Sequence, residues 1–303
     1  MASRWRRARR AGRVPPTPDE VEVGSVGEDG RIVVEAGVSL WHRVVGDGPE
    51  VVVVPCCGND ADLGGLCRPG RRVVFYDVRN RGRSDAVADR RRLGFTREVA
   101  DLAAVVEALG LTSYGLVGWS YHAGVVADHA MANPDRVTRV VLAAAVAPRS
   151  GTSTRPGPEP TPAQLAHLDQ LAASGTPERD PAAWCAAWRE VYVPLLMGDR
   201  RGFDRMASPC GLANEAPAHV AQAMISVFAE LADYDWRPAL ADLRAPTLVV
   251  HGEEDREPVD SAYEWAAAVG DGQVLVLPGV GQLPWVERPE AFFAPVDRFL
   301  TAG

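Results

Sequence analysis

The chain has 303 residues, 47% of them hydrophobic and 24% charged, with a formal net charge of -8. So apolar a chain can bury enough surface to offset its ordering entropy, which excludes wholesale disorder or a fibre and fits one large domain with an insertion. The acidic balance supplies no basic field for nucleic acid, and no apolar run reaches the roughly 18–20 residues of a membrane span; neither is an expected partner.

All of the Lys and Arg positions, 32 in number, are arginine, a codon-bias pattern expected of a GC-rich bacterial genome. The chain opens on an arginine-rich stretch (Arg4, Arg6, Arg7, Arg9, Arg10, Arg13) followed by Pro15 and Pro16 with no apolar core. Residues 1–30 are therefore expected to be a disordered tail, not a secretory signal. The five cysteines (Cys56, Cys57, Cys67, Cys185, Cys210) are odd in number, and a chain this long does not require disulfides. Free thiols in a reducing cytoplasm are expected.

Strand signals begin at Arg31 to Glu35 and Ser39 to Val45, which ends on Gly46-Asp47-Gly48. The continuous valine run Val51 to Val54, bounded by Glu50 and Pro55, reads as a strand buried on both faces, and Arg72 to Tyr76 repeats the signature. The chain then alternates: a helix over Thr96 to Leu109, a strand over Tyr114 to Val117, a helix over Tyr121 to Asn133, a strand over Val137 to Ala145. Such alternation specifies an α/β fold with a mainly parallel sheet. Residues 148–236 break the rhythm with helical patterns at Ala163 to Ala173, Pro181 to Leu196 and Pro217 to Ala232, where Pro181 and Pro217 suit a first helical turn. They are expected to be a helical insertion, dividing a core of 31–147 and 237–303. In the second half of that core, strands are expected at Thr247 to His251 and Gln273 to Leu277, with helices at Ser261 to Val269 and Pro289 to Leu300.

The strongest chemical signal is Gly118-Trp119-Ser120-Tyr121-His122, directly after a strand and before a helix. A serine on a sharp strand-to-helix turn exposes its hydroxyl, while the helix N-terminus offers amides to a developing oxyanion. Glycine is wanted two residues to either side of the serine; Gly118 satisfies this and His122 does not.

With this motif the chain resembles the α/β-hydrolase superfamily from about Glu35 to Leu300, and within it the esterase, epoxide-hydrolase and proline-iminopeptidase-like branch. Further segments carry the resemblance: Asp77-Val78-Arg79-Asn80-Arg81-Gly82-Arg83-Ser84-Asp85, with Asn80 where glycine is usual; His251-Gly252-Glu253-Glu254-Asp255; Gly279-Val280-Gly281-Gln282-Leu283-Pro284-Trp285 with Glu287-Arg288-Pro289-Glu290; and Val51 to Asn59. The resemblance implies an eight-stranded, mainly parallel sheet flanked by helices, with a helical cap after the sixth strand. It also implies Ser120 as nucleophile, Asp255 as triad acid, and the backbone amides of Cys57 and Tyr121 as the oxyanion hole.

Two segments depart from the pattern where chemistry occurs. Pro55-Cys56-Cys57-Gly58 stands in place of His-Gly, which leaves backbone donors available. Gln282 occupies the catalytic histidine's position, and an amide cannot take a serine proton near neutral pH. Loss of that base costs on the order of 10⁴ to 10⁶ in turnover. Among the other histidines, His42 and His251 read as structural and His129 lies too far along its helix. His122 is expected to point away from the serine into the sheet, with a base or substrate-contact role as the alternative, and His167 and His219 could reach in from the cap; Cys56, His122 and His219 are candidate pocket residues beside Trp119 and Trp285. Trp119, Tyr121 and Trp285 are expected near the pocket mouth. Cys56 and Cys57, which have no histidine neighbour in sequence, read as packing residues.

No His/Cys/Asp/Glu cluster has metal-ligand spacing, and the glycines near Gly58, Gly64 and Gly65 lack dinucleotide-binding spacing, so neither a metal nor a cofactor is expected. Three functions remain open: an enzyme acting on a small carbonyl compound by elimination or cyclisation, as in natural-product tailoring; a serine hydrolase carrying an engineered His-to-Gln change; or a ligand-binding protein without catalysis. The partner in each is a small molecule, and the residues point to no oligomeric state.

Overall fold

A computed structural model describes residues 27–149, 155–215 and 217–302. Eight strands, β1 (Glu28–Glu35), β2 (Val38–Val45), β3 (Glu50–Pro55), β4 (Arg71–Tyr76), β5 (Tyr114–Trp119), β6 (Val137–Ala143), β7 (Thr247–Gly252) and β8 (Gly272–Leu277), form one sheet in the order β1-β2-β4-β3-β5-β6-β7-β8. β1 pairs with β2, and β2 with β4, antiparallel; every later pairing is parallel. The expected eight-stranded, mainly parallel α/β sheet is therefore present. Of the expected tail 1–30, residues 1–26 lie outside the described residues, whereas Glu28 to Gly30 belong to β1, paired with Val44, Arg43 and His42.

The alternation of β-strand side chains explains the continuous valine runs. Val51 and Val53 of β3 enter one core, together with Val74, Leu116, Val140 and Val249, while Val52 and Val54 enter the other with Val73, Val117, Val141 and Val250. A strand that must fill both cores has no polar face to show. Each fully buried valine contributes about 1.5–3 kcal/mol by transfer from water. The first core is covered by α1 (Phe95–Ala108), α2 (His122–Ala132) and, beyond the insertion, Trp265 on α7 (Val259–Ala268). The second is covered by α8 (Pro284–Glu287) and α9 (Pro289–Thr301).

Between β6 and β7 lie α3 (Pro162–Ala173), α4 (Thr176–Arg179), α5 (Pro181–Tyr192) and α6 (Pro217–Leu231). Thr161 and Gln164 form a capping box on α3, and Asp180 caps α5 through the Ala183 amide. The helical pattern Pro181 to Leu196 splits, since Val193–Leu196 continues as a 3-10 turn. One expectation is overturned: Cys185 and Cys210 form a disulfide. The fold carries α5 against the turn near Pro209 and leaves the two Cα atoms 5.5 Å apart, within bridging distance. Cys56, Cys57 and Cys67 are free thiols. No helix among the described residues is long and apolar enough to cross a membrane.

Candidate active site

Four non-glycine residues among those described have positive φ: Cys57 (49°), Asn80 (62°), Ser120 (56°) and Ala144 (43°). They follow β3, β4, β5 and β6 respectively, so backbone strain of order 1–3 kcal/mol per residue gathers at the carboxyl end of four adjacent strands. Ligands of open α/β sheets bind at that end.

Ser120 stands at the turn from β5 into α2. Its amide donates to Ala143 O (3.0 Å) and its carbonyl accepts from Ala123 N (3.1 Å), which fixes the elbow. A Cβ on Gly118 would strike the carbonyl of His122 and Val126, so this position needs glycine. The other tight approach of the helix has shifted: Gly124, rather than residue 122, faces the Trp236 ring with no room for a Cβ. Position 122 is thereby free to carry a side chain.

The turn after β3 and the turn after β4 are joined by Asp77, which is fully buried. Its carboxylate accepts from Gly58 N (2.5 Å), Cys56 Sγ (3.2 Å), and Arg83 N and Nε (2.9 and 2.7 Å). A Cβ on Gly82 would collide with that carboxylate. Asn80, at positive φ, donates to His219 O (3.1 Å) and accepts from Val87 N (3.0 Å). The segment Asp77 to Ser84 thus holds the Cys57 turn in place, and neither the Cys57 amide nor the Tyr121 amide donates to any acceptor among the described residues.

Gln282 is anchored by its backbone: its amide donates to Leu196 O (2.8 Å) and its carbonyl accepts from Trp119 Nε1 (3.0 Å). Its side-chain Nε2 points at Ser120 Oγ, 3.4 Å away. Buried Glu287 accepts from Gly281 N and Leu283 N on either side of Gln282, and from Gly198 N and Asp199 N of the inserted segment. The loops after β7 and β8 abut, since Glu254 N donates to Val280 O (2.8 Å) and Gly252 has no space for a Cβ against Val280 and Gly281.

Asp255 ends that first loop, 2% exposed. Oδ1 accepts from Glu257 N (3.1 Å) and Oδ2 has no partner. Burial pushes its carboxyl up to about 7, and the nearby charges of Glu257 and Glu287 add to this while the Glu257 and Arg256 amides oppose it. No donor among the described residues reaches Oδ2.

No histidine is hydrogen-bonded to Ser120 among the described residues. His129 bonds Tyr114 OH (2.8 Å) and His251 bonds Glu257 O (2.9 Å). His219 Nδ1 pairs with Asn214 Oδ1 (3.0 Å), and His167 is exposed on α3. His122 is buried with Nε2 3.7 Å from Cys57 Sγ and 3.4 Å from Glu98 Oε2. Burial draws its imidazole down, yet Cys57 and Glu98 together overcome this and push it up to about 9. Cys57 therefore does have a histidine neighbour, 65 residues away in sequence, where sequence order had shown none.

Trp119 and Trp285, packed edge to face at 5.1 Å, line a cavity of about 620 Å³ between the sheet and the inserted helices. Ser120 and Gln282 are not among its lining residues, although their neighbours Trp119 and Leu283 are; Cys56, Cys57, His122, His219 and Asp255 do not line it, and Tyr121, expected at its mouth, is instead buried with its hydroxyl on Glu98 (3.3 Å). Cys56 is buried with its thiol on Tyr76 O and Asp77, a packing role. Trp184, Trp188 and Arg189 from α5, together with Asn59, Arg81 and Glu215, complete the polar and aromatic lining; sequence inspection had assigned none of these a place in a pocket. No group of three or more His, Cys, Asp or Glu residues that could hold a metal occurs among the described residues.

A sheet of this order, with a strained serine after β5 and Gln282 of the loop after β8 facing it, defines an α/β-hydrolase. The alpha/beta hydrolase family model matches residues 29–295, and the chain belongs to that family. It is similar to a non-heme haloperoxidase from Rhodococcus erythropolis (29% identical, 80% of this chain and 89% of the relative). It is also similar to a bifunctional esterase/perhydrolase from Acinetobacter calcoaceticus (28% identical, 82% and 91%). Among solved structures, an esterase from Exiguobacterium antarcticum superposes with a TM-score of 0.66 at 20% identity, covering 90% of this chain and 99% of the other.

Proposed function

We propose that this enzyme acts on a small carbonyl compound without Ser-His-Asp acyl transfer, and that its reaction is an elimination or cyclisation rather than ester hydrolysis. The observation that carries this reading is the hydrogen bond from Gln282 Nε2 to Ser120 Oγ, 3.4 Å. An amide N–H aimed at the hydroxyl cannot accept its proton, so Ser120 stays a neutral alcohol. What remains is a polarising site: the Ser120 hydroxyl and the unpaired amides of Cys57 and Tyr121 hold the negative charge that develops on a carbonyl oxygen. The inserted segment 148–236 acts as a cap that closes the cavity over this rim. Relatives named as haloperoxidase and as esterase/perhydrolase support a family site able to run more than one reaction.

The unpartnered Oδ2 of Asp255 favours a second reading, a serine hydrolase altered at position 282 alone, because a carboxylate waiting for an imidazole is what such a change leaves behind. One experiment separates the two: steady-state assays of the unmodified chain and its Gln282→His variant on short p-nitrophenyl and naphthyl esters. The unmodified chain is expected to be inert. A gain of about 10³-fold or more in the variant would show an intact Ser-Asp-oxyanion set. Esterase turnover in the unmodified chain at a rate on the order of 1–10³ s⁻¹, typical of enzymes, would overturn the proposal.

A further inference from the structure

We propose that the cavity takes a substrate carrying one negative charge on an aromatic or similarly flat apolar body, and that Arg189 is the residue that selects it. This deepens the proposed function, since it rests on the same cavity being the substrate site. On α5, residues 184 and 188, and 185 and 189, are one helical turn apart, so Trp184, Trp188, Cys185 and Arg189 share a face, and all four line the cavity.

Most of that lining is apolar, and its charged members are Arg81, Arg189 and Glu215. Arg81 and Glu215 satisfy each other through a two-point ion pair (3.0 and 3.2 Å), and Glu215 also accepts from Gly82 N (2.7 Å). Arg189 has no such partner. One N–H, on Nη2, donates to Ala207 O (3.2 Å), and no carboxylate lies within ion-pair distance among the described residues. Asp62 and Glu215 act on it at longer range: Asp62 Oδ1 accepts from Ala207 N (2.8 Å), while its buried Oδ2 has no hydrogen-bond partner among the described residues. Burial pulls the guanidinium down from its ordinary value, and the longer-range charges of Asp62 and Glu215 offset this only in part.

Within the lining, Arg189 is therefore the charge that the Arg81–Glu215 pair leaves without an ion-pair partner, and Asp62 acts on it only from outside that lining. A guanidinium with free N–H groups in a half-buried wall matches the two oxygens of a carboxylate. Tryptophans on both walls, Trp184 and Trp188 above, Trp119 and Trp285 below, suit a flat apolar body. Trp188 is held by stacking on Tyr192 at 4.5 Å, and the Cys185–Cys210 disulfide ties the helix to the turn at Pro209, which also lines the cavity. The wall bearing Arg189 is thus built rather than adventitious.

The test is binding and does not depend on turnover, so its failure is distinct from failure of the proposed reaction. Biphenyl-4-carboxylate and its neutral carboxamide are titrated into the unmodified chain, Arg189→Met and Arg189→Lys, following tryptophan fluorescence and calorimetry, with circular dichroism confirming that each variant is folded. The unmodified chain is expected to bind the carboxylate at least tenfold more tightly than the carboxamide. Arg189→Met should bind both alike, and Arg189→Lys should keep part of the preference. Exposed Arg200→Met serves as a control and should behave as the unmodified chain. Equal affinity for the two ligands, binding of neither, or a preference that survives in Arg189→Met would each overturn the proposal.

Discussion

Gln282 presents its amide nitrogen to Ser120 Oγ at 3.4 Å, so that the residue standing where a base is needed is a donor. One of the serine's lone pairs accepts this N–H, and no base among the described residues is hydrogen-bonded to its hydroxyl. Reactivity toward a fluorophosphonate reports this directly, because phosphonylation needs an activated hydroxyl but no particular substrate. The unmodified chain is expected to label at least about 10³-fold more slowly than Gln282→His, and Ser120→Ala in either background should abolish labelling. Rapid labelling of the unmodified chain would mean that another group serves as base.

Asp255 is the second group left without its partner, and it makes stability depend on pH. Its carboxyl is raised from 3.8 to about 7 in the folded chain, chiefly by burial. Between those values the unfolded chain has lost the proton and the folded chain still binds it, so stability falls as pH rises through this window and levels off above about 7. The full effect is on the order of 4 kcal/mol as an upper bound. Asp255→Asn, which cannot ionise, is expected to raise Tm at pH 8 and leave it nearly unchanged near pH 4. Parallel Tm profiles for the two proteins would remove the argument.

Much of this was open to reading in the chain, for physical reasons. Valine runs that fill two cores, a Gly-x-Ser turn between strand and helix, and proline at the first turn of α5 are local signals, and they located the sheet, Ser120 and the inserted helices. Asn80 stood out only through the resemblance, as the residue where glycine is usual, and its φ of 62° gives the physical reason, since asparagine tolerates the left-handed region. What sequence order hides is any contact made between distant segments. Cys57 and His122 are 65 residues apart and Gly198 and Glu287 are 89 apart. The Cys185–Cys210 bridge joins α5 to a turn 25 residues further on, a spacing that carries no pattern of its own. Arg189 looked like one arginine among many until the fold showed it half-buried in the cavity lining, with Glu215 already paired to Arg81 and Asp62 only a longer-range counter-charge.

His122 supplies a pH effect of the opposite origin. Its folded pKa of about 9 lies above the ordinary 6.5 because Cys57 and Glu98 outweigh the cost of burial. A raised histidine contributes its stabilisation fully below pH 6.5 and loses it as pH climbs through about 9. The unmodified chain should therefore lose Tm across that range, beyond the window set by Asp255. His122→Gln is expected to be less stable at pH 6 and to lack the decline between pH 7 and 9. If the decline persists in the variant, the imidazole is neutral in the fold and Glu98 is not its counter-ion.

Glu287 connects the Gln282 loop to the inserted segment, and its removal should separate stability from chemistry. Its two oxygens take the amides of Gly198, Asp199, Gly281 and Leu283 in a site only 2% exposed. Glutamine keeps the shape but replaces one acceptor with an NH₂ that faces other donors, leaving buried amides unpaired at roughly 1–3 kcal/mol each. Glu287→Gln is expected to lower stability by about 2–3 kcal/mol in urea unfolding. Combined with Gln282→His, it should also reduce whatever ester turnover or fluorophosphonate labelling that change confers, since both neighbours of residue 282 lose their anchor. A double variant that is destabilised yet labels as fast as Gln282→His would show that the loop holds its position through Leu196 and Trp119 alone.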